Sequence, residues 1–214
     1  MKNYFAEFIG TFILLFIGTG AIIVNDISGG KVTYLGVCLV FALIILVIVY
    51  SLGDISGAHI NPAVTWGFFV AGRFPGREVL PYIISQCLGG LAGSYTLKMI
   101  FSDHPTLGIT LPLRTPESAF VFEMFLTAFL MFVILRFATG AKEKGLMAGV
   151  AIGAMVGCDA LVGGAFTGAS MNPIRSLAPA IASGHLEFQY IYIFAPLLGA
   201  TLVALVDRWA HSSR

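Results

Sequence analysis

Long apolar runs separated by short polar turns set the pattern of this chain. Six runs, at residues 4–24, 34–52, 81–101, 119–137, 146–163 and 188–206, have the length and apolarity of membrane-crossing helices. Two further apolar runs, 63–71 and 174–182, are about half the ~20 residues a bilayer demands. Each short run follows an Asn-Pro pair. Asparagine caps free amide groups, and proline fits the first helical turn, where no backbone donor is needed. The short runs therefore read as half-helices entering the membrane from a loop. The expected fold class is an all-α membrane protein of six transmembrane helices and two re-entrant half-helices.

The pattern occurs twice. Residues 56–65 read S-G-A-H-I-N-P-A-V-T, and 167–176 read T-G-A-S-M-N-P-I-R-S. Glu7-x-x-x-Thr11 in the first run matches Glu123-x-x-x-Thr127 in the fourth, and Tyr82 and Gly89 match Tyr192 and Gly199. The internal repeats span approximately 4–101 and 119–207 within a single channel-like domain, joined by the polar, proline-bearing segment 102–118. Three crossings per half place the second half upside down relative to the first, and the two half-helices are expected to meet near the midplane.

Composition supports a membrane location. The chain is 57% hydrophobic and 11% charged, with a mean hydropathy of +0.91, too much apolar surface for a soluble domain of this length to cover. A formal net charge of +1 gives no reason to expect nucleic acid as a partner. Cys38, Cys87 and Cys158 all sit inside apolar runs and read as small core residues, with no disulfide framework or metal spacing. The first run is long and carries Glu7, which argues against a cleaved signal peptide. With the N-terminus cytoplasmic, Lys2, Arg73, Arg77, Arg136, Lys142, Lys144, Arg208 and Arg214 fall inside, against four basic residues outside; the positive-inside rule favours cytoplasmic N- and C-termini. Glycines spaced by four at Gly149, Gly153 and Gly157, and at Gly89 and Gly93, suit close helix packing. The turn at 72–78 (G-R-F-P-G-R-E) reads as a basic loop.

The doubled Asn-Pro motif, A-E-F-I-G-T at 6–11 and N-P-I-R-S after T-G-A-S-M together resemble the aquaporin, or major intrinsic protein, family along the whole chain. Residues 74–84, F-P-G-R-E-V-L-P-Y-I-I, are similar to archaeal aquaporins and to the plant nodulin-26-like branch. The resemblance implies a passive channel in the cell (plasma or inner) membrane, homotetrameric with one pore per subunit, without cofactor, metal or enzymatic activity. It makes Asn61 and Asn172 the central constriction. Two half-helix N-termini facing each other put positive dipole ends at the bilayer centre, which repels cations. The unwound residues Gly57, Ala58, His59, Gly168, Ala169 and Ser170 would supply a ladder of carbonyl acceptors, since irregular backbone at membrane depth is tolerated where it lines a cavity.

By the same resemblance, Phe41, Ala160, Ala169 and Arg175 form the outer selectivity filter, and Glu7 and Glu123 anchor the loops that carry the half-helices. An arginine at that depth is costly unless it meets water or carbonyl oxygens. Two departures stand out. Ile174 replaces the usual alanine of the second motif and is expected to add bulk beside the constriction. Ala160 stands where strict water channels of the family carry histidine, which widens the filter. Ser176 and Ala180 are as in water-type members, whereas Tyr192-Ile193 resembles the nodulin-26-like branch. Asp159 lacks a repeat partner and is expected to face another helix or a subunit contact. The leading reading is a channel for water that also admits small uncharged solutes and excludes protons and ions. The alternatives are a facilitator mainly for glycerol-like or metalloid hydroxyacid solutes and, more distantly, an ion-coupled transporter, for which Glu7, Glu123 and Asp159 are the candidate relay groups. An enzyme would need a nucleophile–base pair, a metal cluster or a phosphate loop, and the chain shows none.

Overall fold

The computed structural model describes residues 1–137 and 146–212. The loop at 139–144, with Lys142 and Lys144, and Arg214 lie outside the described residues. Among the described residues eight helices follow in order: α1 (Lys2–Ile27), α2 (Tyr34–Ser56), α3 (Pro62–Val70), α4 (Gly76–Ile100), α5 (Pro116–Phe137), α6 (Ala148–Thr167), α7 (Pro173–Ser183) and α8 (Gln189–Ser212). No strand occurs among the described residues.

Five of these helices, α1, α2, α5, α6 and α8, are both long and apolar enough to cross a membrane. The sixth long helix, α4, has 25 residues, and at about 1.5 Å per residue it also exceeds a ~30 Å hydrocarbon core. Its glycines, Ser85, Gln86 and Lys98 dilute its apolarity because much of it faces protein. It starts five residues before the expected Pro81: Pro75 caps it, Glu78 sits in the first turn where the helix dipole favours an acid, and Tyr4 donates to Glu78 at 2.8 Å. Arg77 and Glu78 thus belong to a helix rather than to a basic loop. Helices α3 and α7 have 9 and 11 residues and cannot span.

Packing interlocks the two halves. Helix α1 lies along α4, and α5 along α8; α2 packs on α6 across the halves; each half-helix rests on the last long helix of the other half, α3 on α8 and α7 on α4. The closest approaches fall at equivalent glycines. A Cβ on Gly89 would collide with the Phe8 carbonyl of α1, and one on Gly199 with the Met124 carbonyl of α5. Only a residue without Cβ lets those backbones touch.

One inter-half contact is made by a hydroxyl. Tyr34, at the start of α2, places its oxygen 2.8 Å from the carbonyls of Ala160 and Leu161 and accepts from the Ala165 N–H at 3.1 Å. It thus binds both ends of one i→i−4 step of α6, directly beside Ala160.

Candidate functional site

The two loops leading into the half-helices share one backbone course. In the first, Gly57, Ala58 and Ile60 have positive φ (85°, 48° and 44°); in the second, Gly168, Ala169 and Met171 do (87°, 43° and 53°). Left-handed alanine, isoleucine and methionine are disfavoured, so something must hold them.

The buried carboxylates do so. Glu7 accepts from the Ser56 hydroxyl (2.6 Å) and His59 N–H (2.9 Å) at Oε1, and from Ile60 N–H (2.7 Å) and Gln86 Nε2 (2.8 Å) at Oε2. Glu123 accepts from the Thr167 hydroxyl (2.6 Å) and Ser170 N–H (2.8 Å) at Oε1, and from Met171 N–H (2.9 Å) at Oε2. Both are fully buried, and neither lines the cavity described below. Tyr82 and Tyr192 add equivalent outer clamps, donating to the Ser56 and Thr167 carbonyls at 2.9 and 2.8 Å. The halves differ four residues further on. Gln86 gives Glu7 a fourth donor, whereas the corresponding Pro196 has no side-chain donor to offer.

Asn61 and Asn172 lie face to face. Each caps its own half-helix: Oδ1 of Asn61 accepts from Ala63 N–H at 2.8 Å, and Oδ1 of Asn172 from Ile174 N–H at 3.1 Å. Each then donates across to the carbonyl just before the other: Asn61 Nδ2 to Met171 (2.8 Å), Asn172 Nδ2 to Ile60 (3.0 Å). An amide nitrogen has two hydrogens, so one N–H of each asparagine has no protein acceptor among the described residues.

Both asparagines line a single cavity of about 750 Å³. It runs from Tyr50, Asp54 and Arg73 at one end, past the asparagines, to Phe41, Ala160 and Arg175. Of the six residues expected to offer carbonyls, Gly57, Ala58, His59, Ala169 and Ser170 line it. Gly168 does not, because Thr110 packs on its α-carbon; a Cβ there would lie 2.8 Å from the Thr110 methyl. Near the Arg73 end, Arg73 and Arg136 converge on the buried Asp207 of α8 at 2.5 and 3.3 Å.

Arg175 is 3% exposed, one turn into α7. Its Nη1 donates to the Gly108 carbonyl at 2.9 Å, and its guanidinium carbon lies 5.0 Å from the Phe41 ring centroid. Ala160 and Ala169 line the same cavity. Of the four residues expected at the filter, Phe41 and Arg175 are in contact, and all four face one cavity.

Two expectations need correction. Ile174 does not crowd the asparagines. Its side chain points at α4, where Gly90 makes room for it, and it does not line the cavity. Cys158 is exposed and not in the core. Asp159, at 3% exposure, is covered by its own chain, as a residue facing another helix would be, with Oδ2 unpartnered among the described residues.

Sequence reasoning missed the Gly108 carbonyl and the hydroxyl chain Thr110–Ser176–Ser170, linked at 2.6 Å per step behind the second loop. A backbone carbonyl leaves no mark in a side-chain pattern. The hydroxyls at 110 and 176 lie 66 residues apart.

Comparison with known proteins agrees with this geometry. The family model described as major intrinsic protein matches residues 1–207. Nodulin-26 of Glycine max is 42% identical over 207 residues, covering 96% of this chain and 76% of that protein. Aquaporin NIP1-1 of Zea mays is 40% identical over 213 residues, 99% of this chain and 74% of the relative. Among solved structures, the aquaglyceroporin from Plasmodium falciparum superposes with a TM-score of 0.87 over 97% of this chain and 95% of that one, at 24% identity, which speaks to the fold alone.

Proposed function

The chain belongs to the major intrinsic protein family, whose members are passive membrane channels rather than enzymes, and from that membership we propose that it conducts water together with small uncharged solutes while excluding ions and protons. The observation that carries the reading is the crossed pair Asn61 and Asn172, each with an N–H left over at the middle of one continuous cavity. Two half-helix N-termini add positive potential at the same point. A water there turns its oxygen to the amides and its hydrogens away, so no file of like-oriented waters relays a proton across.

Phe41, Ala160, Ala169 and Arg175 form the selectivity ring in this reading. Arg175 supplies charge and fixed donors against cations; the two alanines leave the ring wider than a single file of water demands. That width favours a second solute class, glycerol-like or metalloid hydroxyacid molecules. Glu7 and Glu123 are loop anchors. Their oxygens are occupied by loop donors, and Asp159 does not line the cavity, which leaves an ion-coupled relay without its three candidate carboxylates. The protein sits in the plasma or inner membrane with both termini cytoplasmic, as a homotetramer with a pore in each subunit.

Ala160→His tests the ring. In proteoliposomes challenged with glycerol, it should cut glycerol permeability about tenfold, the size of effect one added steric and polar group has on discrimination, while leaving most water flux. Unchanged glycerol permeability in folded, inserted protein would place the constriction elsewhere.

A further inference from the structure

The segment between α4 and α5 supplies the acceptor for Arg175, and its backbone there is constrained. Leu107 (φ 53°) and Gly108 (φ 76°) are consecutive left-handed residues. Glycine adopts that conformation freely; leucine does not. Two contacts hold the leucine. Its side chain is 1% exposed in a small apolar cluster with Ile23, Leu97 and Ala182. Its N–H donates to Nδ1 of His104 at 3.0 Å.

That second bond fixes the state of the ring. A backbone N–H can only donate, so Nδ1 carries the lone pair and the ring proton sits on Nε2. Nε2 lies 3.4 Å from Oδ2 of Asp26 on α1, and the imidazole is 5% exposed. Gly108 is backed by Thr19: a Cβ there would lie 3.1 Å from the Thr19 Cβ. The carbonyl that follows this pair is the one that receives Arg175 Nη1 at 2.9 Å.

We propose that His104 is a positioning residue for the outer ring. With its Nε2–H turned to Asp26 and its Nδ1 accepting from Leu107, it fixes the left-handed pair that presents the Gly108 carbonyl to Arg175. In this way it sets where the guanidinium stands in the pore. The inference rests on the reading of Arg175 as part of the selectivity ring. His104 touches no permeating molecule; it acts through two backbone groups.

The test compares three variants by stopped-flow light scattering on proteoliposomes, with water and glycerol permeabilities measured on the same vesicles. His104→Asn places an acceptor oxygen near the position of Nδ1; His104→Gln places its oxygen nearer Nε2; His104→Ala has neither. With the Gly108 carbonyl loosened, the guanidinium leans over the opening, and the larger solute suffers first. The glycerol-to-water ratio should therefore fall about threefold in the Gln and Ala variants, as the loss of one hydrogen bond implies, and stay near wild type in the Asn variant. Either variant without an acceptor at the Nδ1 position suffices if the other fails to insert. An unchanged or higher ratio in Gln and Ala, or an Asn variant that behaves like Ala, would overturn the proposal. So would failure of both Gln and Ala to insert while Asn inserts, which would make His104 a folding anchor. Arg175→Val in the same series separates the two ideas. If it leaves the ratio unchanged, the ring reading falls; if it alone changes the ratio, only the role of His104 falls.

Discussion

At the scale of single residues, the buried carboxylates show how position decides role. Glu7 and Glu123 sit at membrane depth, where a free carboxylate would be costly. Each is surrounded by donors from a loop whose left-handed residues need holding. Glutamine is nearly the same shape, yet one of its two terminal groups is a donor that would face an N–H. Glu7→Gln and Glu123→Gln should each lower stability by about 1–3 kcal/mol, seen as a lower midpoint in detergent thermal unfolding, without creating a proton leak. A proton current altered in well-folded variants would instead point to a relay. The equivalence of these glutamates is legible in the sequence because both stand four residues before a threonine. Their individual partners are less so: Gln86 joins Glu7 alone, and nothing in the spacing of Pro196 announces that the second half does without it.

At the scale of elements, the long helices and both half-helices follow from run length and from Asn-Pro. Asn61 and Asn172 do cap α3 and α7. The starting point of α4 was less legible, because a proline five residues into a helix reads as a boundary until the cap at Pro75 and the partner of Glu78 are known. Ile174 illustrates the same limit from the other side. Its bulk is visible in the sequence, but its direction depends on Gly90, a glycine in another helix 84 residues earlier. The equivalent glycines at 89 and 199 carry the tightest helix contacts, each meeting a carbonyl of the neighbouring helix. Gly89→Ala and Gly199→Ala should force α4 from α1 and α8 from α5 and destabilise by ~1–3 kcal/mol or more, because a backbone cannot step aside as a side chain can. The readout is the yield of folded protein and the thermal midpoint. Wild-type values for both variants would mean that these helices tolerate wider spacing.

At the scale of the whole molecule, the two halves interlock rather than sit side by side. Each half-helix packs on the other half, and each asparagine bonds across to the other loop. One continuous cavity passes this junction, and the buried arginine stands at its far end. The repeat in the sequence foretold two equivalent loops; it could not foretell that the segment 102–118, which reads only as a polar joint, delivers the Gly108 carbonyl to Arg175. The central claim, a pore for water and small neutral solutes that is closed to ions, is tested most directly by osmotic stopped-flow on proteoliposomes. The same vesicles should be challenged with an impermeant sugar, with glycerol, and with a pH step read by an enclosed dye. Water permeability should exceed that of empty vesicles by about tenfold or more, glycerol should enter measurably, and proton entry should match the empty vesicles. Water flux no faster than in empty vesicles, from protein shown to be folded and inserted, would contradict the account.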